Sequence, residues 1–191
     1  MQKVGLFFGS FNPIHTGHLI IANYMANYTD LSEVWLVVSP HNPLKKKDSL
    51  LNKYNRLEMV SLALEEATNI RASDIEFGLP QPSYTIDTLI HLRERYPNIE
   101  FVLIMGSDNL LTLKKWKNYE IILRDFSIYV YPRPNNEITE WSTHPKVIIT
   151  KTPLMEISST FIRNALKEGK DVRYFLPEKV LAFIDKTGVY L

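Results

Sequence analysis

Along the chain, short unbroken apolar runs alternate with stretches in which apolar residues recur every three or four positions. The runs lie at residues 3–8, 33–39, 100–105, 126–131 and 146–150 and are rich in Val, Ile and aromatic side chains. Runs without polar alternation predict strands buried on both faces. Between them, Leu57, Val60, Ala63, Leu64 and Ala67 follow the spacing of one helical stripe, and Ile86, Leu89 and Ile90 begin a second. Leu19, Ile20, Ala22 and Met25 start a helix soon after the first run. Strand and helix therefore alternate, which implies right-handed crossovers and predicts an α/β fold: a doubly wound, mostly parallel sheet covered on both sides. Ligands then belong at the carboxyl ends of the strands. Residues 158–166, closed by Gly169, and residues 177–185, with Pro177 suited to a first helical position, predict a C-terminal helical tail. Stretches 40–48 and 132–145 carry Pro and Asn and read as long loops, which in compact domains are often functional.

A chain of 191 residues with 45% hydrophobic positions has the size of one domain, taken here as 1–191. Lys plus Arg number 22 against 21 Asp plus Glu, so nothing in the charge balance points to nucleic acid or a membrane surface. Any phosphate binding must then be local. No cysteine is present, which excludes disulfides, thiolate nucleophiles and Cys-based zinc sites and is compatible with a cytoplasmic location. Residues 3–8 lack the features of a secretion signal, and no apolar run approaches the ~20 residues that span a bilayer. A homo-oligomer is compatible with all of this.

Two motifs carry chemistry. Residues Gly9, Ser10, Phe11, Asn12, Pro13, Ile14, His15, Thr16, Gly17 and His18 occupy a strand-to-helix corner. There the unpaired N–H groups of a first helical turn face the active edge of the sheet and favour an anion. Gly9 lets backbone approach a phosphate, while His15 and His18, three apart, point the same way and can donate to one ligand. Such a pair also suits zinc, but no third ligand follows at a recognisable spacing, and no metal ligands are assigned. The second motif is Ile157, Ser158, Ser159, Thr160, Phe161, Ile162 and Arg163. One serine is a natural N-cap, and as a cap alone the motif is unremarkable. Arg163, one turn into the helix, adds a fork able to reach a phosphate bound at that helix start.

Together, His15-Thr16-Gly17-His18 and Ile157-Ser158-Ser159-Thr160-Phe161-Ile162-Arg163 resemble the two signatures of the His-x-Gly-His nucleotidyltransferases, whose fold is Rossmann-like. Alone they fit phosphopantetheine adenylyltransferases, cytidylyltransferases and flavin adenylyltransferases equally. Ser83-Tyr84-Thr85-Ile86-Asp87-Thr88-Leu89, Gly106-Ser107-Asp108, Leu113 with Trp116, Arg133-Pro134 and Gly188-Val189-Tyr190 choose among them and are similar to the bacterial nicotinate-mononucleotide adenylyltransferases. Two segments depart from the family. Phe8-Gly9-Ser10-Phe11-Asn12-Pro13 replaces Gly-Gly-Thr-Phe-Asp-Pro, and Pro40 to Lys47 replaces a Pro-Pro-His-Lys-like stretch.

The resemblance implies transfer of AMP from ATP to nicotinate mononucleotide, releasing pyrophosphate, a step of NAD biosynthesis, with Mg2+ accompanying ATP. It implies that His15, His18 and Arg163 are catalytic. It also implies that Gly9, Ser10, Phe11, Gly106, Asp108, Ile157, Ser158 and Ser159 join them in binding ATP. Asn42, Tyr84, Thr85, Trp116 and Arg133 are assigned to the mononucleotide. For several of these a plainer reading stands beside the functional one. Asp108 is a helix cap or a ribose ligand; Trp116 is a core residue or a stacking platform, its lysine neighbours suggesting an exposed segment. Thr85 is a cap or a carboxylate ligand, and Lys45, Lys46 and Lys47 are a solvated run or a phosphate site. A nucleotide sensor that has lost catalysis is the rival from another class.

Overall fold

In the computed structural model the described residues are 1–40, 50–134, 140, 141 and 143–191. Six parallel strands form one sheet: β1 (Gln2–Gly9), β2 (Glu33–Val38), β3 (Ile70–Ser73), β4 (Ile99–Gly106), β5 (Ser127–Tyr131) and β6 (Val147–Ile149). Their order is β3-β2-β1-β4-β5-β6. Seven α-helices accompany them among the described residues: α1 (Thr16–Tyr28), α2 (Lys53–Ala63), α3 (Thr85–Arg95), α4 (Ser107–Leu111), α5 (Tyr119–Asp125), α6 (Ser159–Lys167) and α7 (Glu178–Thr187). Short 3-10 turns lie at Ile75–Gly78 and Leu113–Lys115. This is the doubly wound arrangement that the alternation predicts, with β1 and β4 adjacent where the strand order reverses.

The pleat sorts side chains onto two faces. On β2, Val34, Leu36 and Val38 join a core with Ile21 and Met25 of α1, Met59 of α2, Ile162 of α6 and Ile184 of α7. Trp35 and Val37 face the other core, with Leu89 of α3, Leu110 of α4 and Ile122 of α5. Burial on both faces is why the inner strands read as continuous apolar runs.

Four expectations shift. First, β3 has no apolar run: Ile70 is its buried residue, and its place depends on pairing with Val34 to Val37 of β2. Second, β6 is a sheet edge, so Ile148 and Ile149 are 45% and 42% exposed rather than buried. Third, α2 ends at Ala63 and its core face is wider than expected: Val60 and Leu64 are buried and Leu57 and Ala63 half-buried as predicted, but Arg56 and Met59 are buried with them, while Ala67 is exposed. Fourth, Pro177 caps α7 instead of opening it.

The C-terminal tail reaches back to the start of the chain. Thr16 donates from both its backbone N–H and its hydroxyl to the Phe175 carbonyl, at 2.9 and 3.0 Å. The Tyr190 hydroxyl donates to Asn12 Oδ1 at 2.6 Å.

Candidate active site

At the carboxyl ends of β1 and β4 lies a cavity of about 780 Å³, within the range of small-ligand sites. Both signature motifs and most of the middle motifs line it. From the first come Gly9, Ser10, Phe11, His15 and His18; from the second, Ile157, Ser158, Ser159 and Arg163; Tyr84, Thr85, Asp108, Trp116 and Arg133 line it as well, whereas the predicted Gly106 does not. Gly106 stands at the end of β4, beside Asp108. Asn42 and Lys45 to Lys47 lie outside the described residues.

The corner after β1 is built on one aromatic ring. Phe11 is 2% exposed and takes a left-handed backbone, φ 45°, a costly conformation for a residue with a side chain. Its ring lies against Gly9, where a Cβ would come within 2.7 Å, and meets the His18 imidazole edge-on at 5.0 Å. Gly9 therefore makes room for Phe11, not directly for a phosphate. Gly17 plays the same part for His15, whose ring a Cβ at 17 would approach to 3.1 Å.

His15 is the N-cap of α1 and His18 its third residue, and the two imidazoles stack with centroids 3.7 Å apart. The His15 backbone N–H donates to His18 Nδ1 at 3.3 Å. A neutral His18 that accepts on Nδ1 carries its proton on Nε2. His15 is 3% exposed and its Nδ1 has no partner among the described residues. Burial, aided by the charge of Arg133, lowers its pKa to about 4, so it is neutral at pH 7.

That depression has a consequence for stability. Between pH 6.5 and 4 the unfolded chain protonates this histidine while the folded one resists. The stabilisation is complete above pH 6.5 and is lost as pH falls towards 4, by about 3 kcal/mol. Thermal unfolding across this range is expected to show wild type losing stability on acidification faster than His15→Asn. Parallel curves would refute it.

At the second motif, Ser158 caps α6, its Oγ accepting from the Phe161 N–H at 3.2 Å. The Ser159 hydroxyl donates to the Pro13 carbonyl at 2.9 Å. Ser159 thus spends its proton on structure, whereas the Ser158 hydroxyl, accepting in its cap bond, keeps its proton to offer an anion together with the open N–H groups of the first turn. Arg163 donates through Nη1 to the Asn12 carbonyl at 2.7 Å and through Nη2 to Thr160 Oγ1 at 3.3 Å. The two motifs are therefore in direct contact.

On the β4 side, α4 is capped by Gly106 without a side-chain bond, which sets aside the cap reading of Asp108. Its carboxylate folds so closely over Gly106 that a Cβ there would collide with Oδ1. It faces Arg133 Nε at 3.9 Å, and Arg133 is itself held through Nη1 on the Met155 carbonyl at 3.2 Å. Tyr84, not Thr85, is the cap position of α3. The segment is exposed at Lys114, Lys115 and Lys117, as expected, while Trp116 itself is half-buried, packing partly against the second core and partly lining the cavity. Two residues went unforeseen. Arg56 is completely buried in α2, and Glu76, 2% exposed, accepts from the Thr88 hydroxyl at 2.8 Å at the edge of the cavity. Arg56 shares the apolar stripe with Met59 and Val60, and a cation on that face was the signal available.

These features define a nucleotidyltransferase, and the cytidylyltransferase-like family profile matches residues 6–165. Over 191 residues the chain is 59% identical to a protein of Flavobacterium johnsoniae named a probable nicotinate-nucleotide adenylyltransferase, covering 99% of each. It is 50% identical to one of the same name from Bacteroides fragilis, covering 91% of this chain and 87% of that one. The chain belongs to the nicotinate-nucleotide adenylyltransferase family. Its fold matches the solved Plasmodium falciparum nicotinic acid mononucleotide adenylyltransferase complexed with NaAD, with a TM-score of 0.83 at 20% identity over 100% of this chain and 98% of the other. Among the described residues no helix is long and apolar enough to cross a membrane.

Proposed function

We propose that residues 1–191 act as one cytoplasmic nucleotidyltransferase domain that joins the AMP of ATP to nicotinate mononucleotide, giving nicotinate adenine dinucleotide and pyrophosphate. The observation that carries this reading is the meeting of His15, His18 and Arg163 in one cavity at the reversal of strand order.

The mononucleotide's phosphate oxygen attacks the α-phosphorus in line and pyrophosphate leaves, so no covalent intermediate forms on the protein. Catalysis is positioning plus stabilisation of charge on the phosphoryl oxygens. His18, with its proton on Nε2, serves the α-phosphate. Arg163 and the first-turn N–H groups of α6 serve the β- and γ-phosphates. Arg133, close enough to His15 to depress its pKa, is placed for the incoming phosphate beside the reacting one. Asp108 takes ribose hydroxyls. Magnesium enters on ATP as part of the substrate; carried by phosphate and water, it needs no protein cage.

Trp116 offers a face to the pyridinium ring, whose positive charge favours it. Beside it, the first N–H groups of α3 meet the nicotinate carboxylate. A helix N-terminus favours a carboxylate over a neutral carboxamide by about 0.3–1 kcal/mol when exposed and more when partly buried. With magnesium ATP and a panel of nicotinate mononucleotide, nicotinamide mononucleotide and phosphopantetheine, pyrophosphate release is expected to be fastest with the first. Equal turnover of phosphopantetheine would end the assignment.

A further inference from the structure

The largest fully buried side chain is a cation, Arg56 of α2, at 0% exposure. Among the described residues no carboxylate pairs with it; burial lowers its pKa, and the nearby Tyr190 only partly offsets this. What holds it is backbone. Nε donates to the Leu51 carbonyl at 2.8 Å, Nη1 to the carbonyls of Ser10 at 2.6 Å and Ser39 at 2.8 Å, and Nη2 to Pro40 at 3.0 Å. Three segments separate in sequence are thereby joined: the corner after β1, the end of β2 and the approach to α2. A buried charge is costly, and a core position in a helix stripe is ordinarily filled more cheaply by an apolar residue. The arrangement calls for a reason beyond packing.

That reason lies in the Ser10–Phe11 peptide. In a trans peptide the carbonyl and the next residue's N–H point in opposite directions. Arg56 is not among the residues lining the cavity, whereas Ser10 and Phe11 are. With its carbonyl drawn back to Arg56, this peptide holds the Phe11 N–H on the side away from the guanidinium. Among the described residues that N–H has no acceptor. The left-handed φ of 45° at Phe11 is the conformation in which this pose is held.

We propose that Arg56 is a positioning residue for adenylyl transfer: from behind the corner its guanidinium fixes the Ser10–Phe11 peptide so that the Phe11 N–H is aimed at the triphosphate in the cavity. This rests on the adenylyl-transfer reading of the site. Lysine cannot replace it, because a single ammonium lacks the planar fork that reaches these carbonyls in several directions.

In Arg56→Lys, kcat is expected to fall roughly 10- to 100-fold, the scale of misplacing one donor to a developing oxyanion, with the KM for ATP changed by less than about threefold. Calorimetric titration with a non-hydrolysable ATP analogue is expected to keep a stoichiometry near that of wild type. A loss of activity through partial unfolding would lower that stoichiometry instead. Val180→Ala, in the core of α7, serves as a variant destabilised without touching the corner, and its kcat at 25 °C stays near wild type. Activity of Arg56→Lys within twofold of wild type, or a drop matched by Val180→Ala at equal unfolding midpoint, overturns the proposal.

If Arg56→Lys does not fold, wild type decides through its 15N-labelled amides. The Phe11 resonance is expected to move on adding the ATP analogue, and an unmoved Phe11 with saturated analogue overturns the proposal. Should wild type bind the analogue but form no dinucleotide with any acceptor, the reading of the reaction fails. The Phe11 result would still stand or fall by itself.

Discussion

His18→Ala is expected to lower turnover roughly 100- to 1,000-fold while changing ATP binding by only a few fold. The ring is held in one orientation. Its Nδ1 accepts from the His15 N–H, its edge meets Phe11 at 5.0 Å and Phe7 at 6.1 Å, and its face lies on the His15 imidazole. Contacts on three sides leave little rotamer freedom, and the Nδ1 bond sets the tautomer, so the donating Nε2 is preorganised. Such a donor gains most when charge develops on the phosphoryl oxygens, which is a transition-state effect. Removing it therefore lowers kcat more than it weakens the ground-state complex. Steady-state pyrophosphate release paired with calorimetric binding of a non-hydrolysable analogue separates the two. Equal losses in both would favour the non-catalytic sensor.

His18 was legible in the sequence because its signals are local. Phe7 and Phe8 close a buried strand, Gly9 and Pro13 mark a turn, and the apolar period starts within ten residues. A serine cap for α6 was legible for the same reason, as a hydroxyl at the start of a stripe, but which serine fills it, Ser158, was not. The sequence could not separate what a hydroxyl or glycine does from what it permits. Ser159 spends its proton on Pro13, and Gly9 yields space to Phe11, contacts that depend on where distant segments meet.

Long-range dependence also hid β3 and Arg56. Arg71 and Ser73 give β3 no apolar signature, and it is a strand because β2 presents a free edge to it. An arginine on a helix is ordinarily a surface residue. Arg56 is buried only because three chain segments turn their carbonyls to it, and no local pattern records that. Shifting the α2 stripe by one position would have exposed the anomaly: Arg56, Met59, Val60 and Ala63 also fit the helical spacing, with a charge at the head.

Arg163 should fail in a different way from His18. Its guanidinium serves phosphates that are charged before, during and after transfer, so part of its contribution is already present in the ground state. Arg163→Ala is expected to raise the KM for ATP as well as lower kcat, for a loss of roughly 100- to 1,000-fold in kcat/KM. The side chain also anchors the corner. Asn12 receives Arg163 on its carbonyl and Tyr190 on its side-chain oxygen, while Ser159 holds Pro13. Leaving the Asn12 carbonyl without its charged donor costs about 1–3 kcal/mol of folding stability, visible as a lower unfolding midpoint. Arg163→Lys separates these contributions. It keeps the charge but cannot bridge Asn12 and Thr160 while facing phosphate, so kcat/KM is expected to recover to within roughly tenfold of wild type with the midpoint only partly restored. If Arg163→Lys were as inactive as alanine, charge would not be what this residue supplies. If both variants bound and turned over ATP normally, the meeting of the two motifs in one cavity would have no bearing on catalysis.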